Sequence, residues 1–114
     1  MTQYHSFSAS AAARLAGITY RQIDYAVREE YFHPAVPAQG SGSRRRLSRE
    51  NVLTLRAAKI ISDELDLELP KALDHIPVDA DLEGVIEIHT SERVTIVVDL
   101  HLEPEELEQF AAAA

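Results

Sequence analysis

Thr19, Tyr20, Arg21, Asp24, Tyr25 and Arg28 fall within ten consecutive residues, and Arg44, Arg45 and Arg46 follow a Gly-Ser-rich stretch. These residue types suit the chemistry of a polyanion with readable edges. Guanidinium groups grip phosphate and the acceptor edge of guanine, and a carboxylate accepts from cytosine N4. Arg21 is the strongest candidate for a base-edge contact, or failing that a nearby phosphate. Tyr20 and Tyr25 suit phosphate or base-methyl contacts, and Arg28 suits phosphate. Asp24 either accepts from a base or orients an arginine. Three adjacent arginines behind a Gly-Ser tip can straddle a phosphate backbone, and one can enter a narrow minor groove. Each residue also has a bland alternative: Tyr25 packed on the following loop, Arg28 paired only with solvent, the triplet a solvated basic loop.

Other chemistries find little support. The chain has no Cys, which excludes disulfides, thiolate metal sites and cysteine nucleophiles. The five His are scattered. His89 and His101 could approach across a hairpin, but no carboxylate cluster joins them, so no metal is expected. His33, before Pro34, reads as a packing residue. No nucleophile–base pair, phosphate-cradling Gly loop or paired catalytic carboxylates stands out. The expectation is therefore a chain that is not an enzyme and needs no cofactor. No apolar run is long enough to span a membrane and no basic-then-apolar leader opens the chain, so a cytoplasmic, nucleoid-associated location is expected.

The net charge of −8 argues at first against nucleic acid, but the average hides a division. Residues 1–60 carry nine Lys/Arg against four Asp/Glu, whereas residues 61–114 carry two against fifteen. Screening confines each field to about 10 Å, so the front half can hold a polyanion while the back half repels one.

The elements that must position these residues are legible. Ser8 is a plausible N-cap for Ala9–Ala16, and Gly17 follows where a left-handed residue ends a helix cheaply. Thr19 and Gln22 form a T-x-x-Q capping box opening a second helix to about Glu29. Two short helices joined by Gly17-Ile18 give a helix-turn-helix pattern, with Leu15, Ile18, Ile23 and Val27 facing inward. Residues 31–46 read as a loop, its Gly-Ser tip lying between two short strands. Ser48 caps a third helix to about Leu65, supported by the staple pair Leu47 and Val52. A shorter helix starts at Pro70, with Leu73 and Ile76 on one side. Val85–His89 and Val94–Leu100 read as a hairpin, and Pro104, Glu105 and Glu106 start a terminal helix. The fold class expected is α+β: a winged helix-turn-helix with additional helices, then a C-terminal β-hairpin and short helix.

The run from Phe7 to Tyr25 and the block Arg45-Arg46-Leu47-Ser48-Arg49-Glu50-Asn51-Val52-Leu53-Thr54-Leu55 resemble the MerR family of DNA-binding regulators. In that family a helix ends in Leu-x-Gly-Val/Ile and a Ser/Thr-capped recognition helix carries Arg and Tyr. A Gly-containing wing then leads to Arg-Arg and a helix with Val-x-x-Leu. The resemblance covers roughly residues 6–77 and implies a sequence-specific transcriptional regulator of double-stranded DNA. Excisionases and other small phage or plasmid proteins share the winged architecture and supply the alternative. Two positions depart from the pattern: Ala26, where an aromatic residue is common, and Glu30, where Gly is usual.

The resemblance divides the chain into a DNA-binding part, 1–77, and a part, 78–114, made of an acidic linker, hairpin and terminal helix. Family members dimerise through a long helix for which this chain has no room. Val94, Ile96, Val98 and Leu100 form one apolar stripe, and Leu107 and Phe110 another. The expectation is that these stripes join two subunits on an inverted repeat. The alternative is that the C-terminal part recruits a protein or binds a small ligand. A third arrangement folds both stripes back onto the third helix of the same chain. The acidic run Asp79–Glu83 reads as a solvated linker that holds the back half away from DNA.

Overall fold

Two serines with the same task organise the N-terminal half. Ser8 Oγ accepts from the Ala11 N–H at 3.1 Å, and Ser48 Oγ accepts from the Asn51 N–H at 3.0 Å. Each serine ends a three-residue strand and caps the helix that follows it. In this computed structural model, which describes residues 6–34 and 45–113, those strands are β1 (Ser6–Ser8) and β2 (Arg46–Ser48). They pair antiparallel, Phe7 opposite Leu47. Both sequences alternate polar, apolar, polar, so one face of the ribbon buries Phe7 and Leu47 completely.

Helix α1 (Ala9–Ala16) ends at Gly17, whose φ of 77° is the left-handed conformation a C-cap requires. Helix α2 (Tyr20–Arg28) starts at Thr19 with the full capping box: Thr19 Oγ1 accepts from the Gln22 N–H, and Gln22 Oε1 accepts from the Thr19 N–H. Helix α3 (Arg49–Leu65) has a second capping box, closed by the Asn51 side chain. Helix α4 (Leu69–Asp74) starts one residue before the proline expected to open it.

The ribbon adds a pairing that the sequence did not announce. The strand after the Gly-Ser tip pairs with the N-terminal Ser6–Ser8. Tyr31–Pro34 contain no strand, and the tip with Arg44 lies outside the described residues. The physical reason is Phe7, which needs an apolar partner across the ribbon and finds it in Leu47.

Strands β3 (Val85–His89) and β4 (Thr95–Asp99) form the expected hairpin, with Ile88 opposite Ile96 and Ile86 opposite Val98. Helix α5 (Pro104–Ala113) follows and packs on α1. Ile86, Ile88, Val98, Leu100, Leu102 and Phe110 join Phe7, Ile23, Leu47, Leu55 and Ile61 in a single cluster of buried side chains. That cluster crosses the boundary expected after residue 77.

This burial corrects the premise that the C-terminal stripes stand open. Val98, Leu100 and Phe110 are buried within the chain and Ile96 is half-buried, leaving only Val94 and Leu107 exposed among the six. Each such side chain gains roughly 1.5–3 kcal/mol by leaving water, and the nearest apolar surface belongs to the same chain. Two further contacts fix α5. The Phe110 ring meets Phe7 edge-on at 5.9 Å, with the Arg49 guanidinium 5.1 Å from its centroid. Arg49 also pairs with Glu83 at 2.7 Å, which ties the acidic linker down rather than leaving it solvated throughout.

Candidate nucleic-acid interface

Ile23 and Ala26 turn inward on α2, and its opposite side is polar. Tyr20 is 53% exposed and Tyr25 48%, while Thr19, Arg21 and Arg28 are also exposed. The six residues singled out on this helix and its cap therefore leave the core free, and five of them face water outright. Arg21 makes no ion pair among the described residues. A groove of about 520 Å³ runs beside it, lined by Arg21, Gln22, Tyr25, Glu68, Leu69 and Pro70 among others. Tyr25 keeps one ring neighbour, Tyr31 at 6.3 Å, so it packs partly on the segment after the helix.

Asp24 differs from the rest. Its Oδ2 lies 3.0 Å from Arg28 Nε on the same helix, and its Oδ1 lies 3.1 Å from Arg45 Nη2. Arg28 is 69% exposed in this pair, whereas the Arg45 side chain is only 14% exposed, and its Nη1 has no partner among the described residues. Arg46 is also turned inward. Its Nε donates to Ser6 Oγ at 3.0 Å and its Nη2 donates to the Ser6 carbonyl at 2.9 Å. Of the arginine triplet expected to meet phosphate, two members thus bind their own chain, and Arg44 lies outside the described residues. Among the described residues of α2, Arg21 and Arg28 are the exposed cations.

The end of α2 explains Glu30. The Tyr31 N–H donates to the Ala26 carbonyl at 2.8 Å, and Glu30 takes φ of 61°, the left-handed turn that glycine would adopt without strain. Ala26 is buried, so nothing larger projects toward solvent from that position.

Two features escaped sequence reasoning. Ser6 anchors Arg46, a link invisible without the strand pairing. Arg56 is buried at 8% exposure, although its spacing from Val52 by one helical turn places it on the apolar face of α3. Among the described residues, His89 and His101 do not converge. His89 bonds Thr95 at 2.8 Å at the turn end of the hairpin, and His101 meets Asp99 beyond its other end. Among the described residues no three His, Asp or Glu side chains are grouped as a metal site would require, and no helix is long and apolar enough to cross a membrane.

No protein-family profile matches the chain. It is 43% identical over 54 residues to an uncharacterized HTH-type transcriptional regulator of Mycobacterium bovis, and equally to two such regulators of Mycobacterium tuberculosis strains. The match covers 46% of this chain and 24% of each relative. The chain is thus a partial relative of helix-turn-helix transcriptional regulators, spanning about a quarter of their length.

Proposed function

We propose that this chain is a sequence-specific DNA-binding transcriptional regulator, not an enzyme, that reads the major groove with α2 in the manner of MerR-like winged helix-turn-helix proteins. The observation carrying this reading is the polar side of α2. Directly after a tight Gly17-containing turn, a capped helix turns Tyr20, Arg21, Tyr25 and Arg28 away from the core. Residues near the start of such a helix meet base edges when it lies in the groove. Partial identity to helix-turn-helix regulators supports the same reading.

Residues 1–77 form the DNA-reading part, and residues 78–114 brace it through Phe110 on Phe7 and Glu106 on Arg56. Two copies sit on an inverted repeat about one helical turn apart, as two-fold readers do. Such pairing does not use the buried stripe. It is brought about by adjacent half-sites and by the exposed remainder of the hairpin, where Val85, Val94 and Val97 face water.

Selection of bound duplexes from a randomised library tests all of this. An enriched inverted repeat supports the paired regulator. Enriched direct repeats would replace it with an excisionase-like filament, and no enrichment over random sequence would remove sequence reading altogether.

A further inference from the structure

An acidic side chain on a face pressed against DNA needs a reason to be there. Asp24 lies on α2 between the exposed Tyr20, Arg21, Tyr25 and Arg28, and Coulomb repulsion from phosphates disfavours it. An ordinary Asp–Arg pair one turn apart on a helix contributes little to stability. Here the carboxylate does more than that pair requires. It holds Arg28 at 3.0 Å with one oxygen and, with the other, Arg45 at 3.1 Å from a segment 21 residues further along. Both oxygens are engaged, so Asp24 is not free to accept from a base without releasing an arginine.

We propose, on the reading of α2 as the recognition helix, that Asp24 is the positioning residue of this interface: it aims Arg28 at the phosphate backbone and docks the base of the wing onto α2 through Arg45. The division of labour follows from exposure. Arg28, mostly in water, is the cation presented to DNA. Arg45, mostly buried, is a strut. A free arginine samples many rotamers, and fixing it only when DNA arrives weakens binding. A carboxylate that fixes it beforehand removes that cost. It also brings the segment behind the wing against the recognition helix, so that one side chain sets the relation between the two DNA-facing elements.

The two accounts of Asp24 predict opposite signs. If the carboxylate acted only through its charge, Asp24→Asn would tighten binding to every duplex. As a positioning residue its loss weakens binding to the selected site about tenfold, the order expected when two long side chains lose their orientation. Binding to a scrambled duplex of the same length weakens as well, because a phosphate contact carries no sequence preference. The measurement uses the full chain, a site enriched by the wild type from a random library, and that scrambled duplex. A double-mutant cycle with Arg28→Gln completes it: the Asp24→Asn penalty shrinks once Arg28 is gone, whereas independent roles would add. Arg28→Lys guards against a variant that fails to fold, because this exposed side chain can change without disturbing the core. Lysine keeps the charge but not the planar fork, so it weakens binding to both duplexes if aim matters. Tighter binding of Asp24→Asn to both duplexes, or full replacement of Arg28 by lysine, overturns the proposal while leaving the DNA reading intact. A wild-type protein that enriches no site removes the DNA reading itself.

Discussion

Arg56 and Glu106, fifty residues apart, meet through two parallel hydrogen bonds: Nε to Oε2 at 2.8 Å and Nη2 to Oε1 at 3.1 Å. Two further bonds run to backbone carbonyls. Nη1 reaches the Leu100 carbonyl at 2.6 Å, and Nη2 the His101 carbonyl at 3.3 Å. A guanidinium can sit inside a core only when its charge is paired and its N–H groups are largely bonded, and here all three nitrogens donate. It fastens α5 and the end of β4 to α3.

Arg56→Lys should therefore destabilise the chain although the charge is kept, because an ammonium cannot span both carboxylate oxygens and two carbonyls. We expect a loss of about 1–3 kcal/mol, the cost of leaving buried hydrogen-bonding groups unsatisfied. Urea denaturation at neutral pH measures it, and a change below about 0.5 kcal/mol would show that the fork geometry is immaterial.

The same pair imposes a pH dependence. The hydrogen bond from Arg56 holds the Glu106 carboxyl below its usual range, against the opposing effect of burial and with help from the Glu103 N–H. The folded pKa thus lies below the unfolded one. The stabilisation is complete above the unfolded value of about 4.3 and is lost as pH falls through the folded one. Glu106→Gln should be less stable than wild type at pH 7, with the difference narrowing at acid pH. Parallel denaturation curves at neutral pH and near pH 3 check this; a constant difference would contradict it.

Arg21 is exposed and makes no ion pair among the described residues, so truncating it should leave folding intact. Arg21→Ala should weaken binding to the selected site by about 1–3 kcal/mol and relax preference at one base position. Competition with sites mutated one base pair at a time measures this. Equal losses on selected and scrambled DNA would make Arg21 a phosphate contact.

Arg28 and Arg45 should separate in their salt dependence. Arg28→Gln lowers the magnitude of the log–log salt slope by about 0.9, the value for one phosphate contact. Arg45→Gln, which removes a strut, should leave the slope nearly unchanged while lowering thermal stability. If Arg45→Gln flattened the slope and Arg28→Gln did not, their roles would be exchanged.

Glu30 at φ of 61° carries the strain of a side chain in the left-handed region, on the order of 1–2 kcal/mol. Glycine relieves it but loses more chain entropy on folding. The net expectation for Glu30→Gly is a gain of about 0.5–1 kcal/mol without change in DNA affinity, measurable by thermal denaturation. A loss of stability would mean that the Glu30 side chain holds the turn.

Helices α1, α2 and α3 were legible because their signals are local: Ser8, Thr19 and Ser48 at the caps, Gly17 at the stop, and the apolar spacing between them. The polar face of α2 was legible for the same reason, since a helix fixes which residues lie opposite Ile23. What escaped was non-local. The pairing of Ser6–Ser8 with Arg46–Ser48 joins segments forty residues apart, and no periodicity announces it. The inward turn of Arg45 and Arg46 follows from that pairing and from Asp24, so a basic triplet that looked solvated is largely held by its own chain. The C-terminal stripes were found correctly as apolar, but composition does not say which surface covers them.

The edge-on contact between Phe7 and Phe110 also bears on the order in which the molecule can mature during its synthesis. Phe7, Ser8 and the recognition helix leave the ribosome early, and β2 can join β1 once Leu47 follows. Phe110 comes later still, at about 5–20 residues per second. Until it arrives, the ring of Phe7 lacks its aromatic neighbour, Arg49 has no ring beneath it, and Arg56 has no carboxylate partner from α5. The N-terminal helices are therefore complete in sequence several seconds before they are complete in packing, and their brace is set by residues made after them.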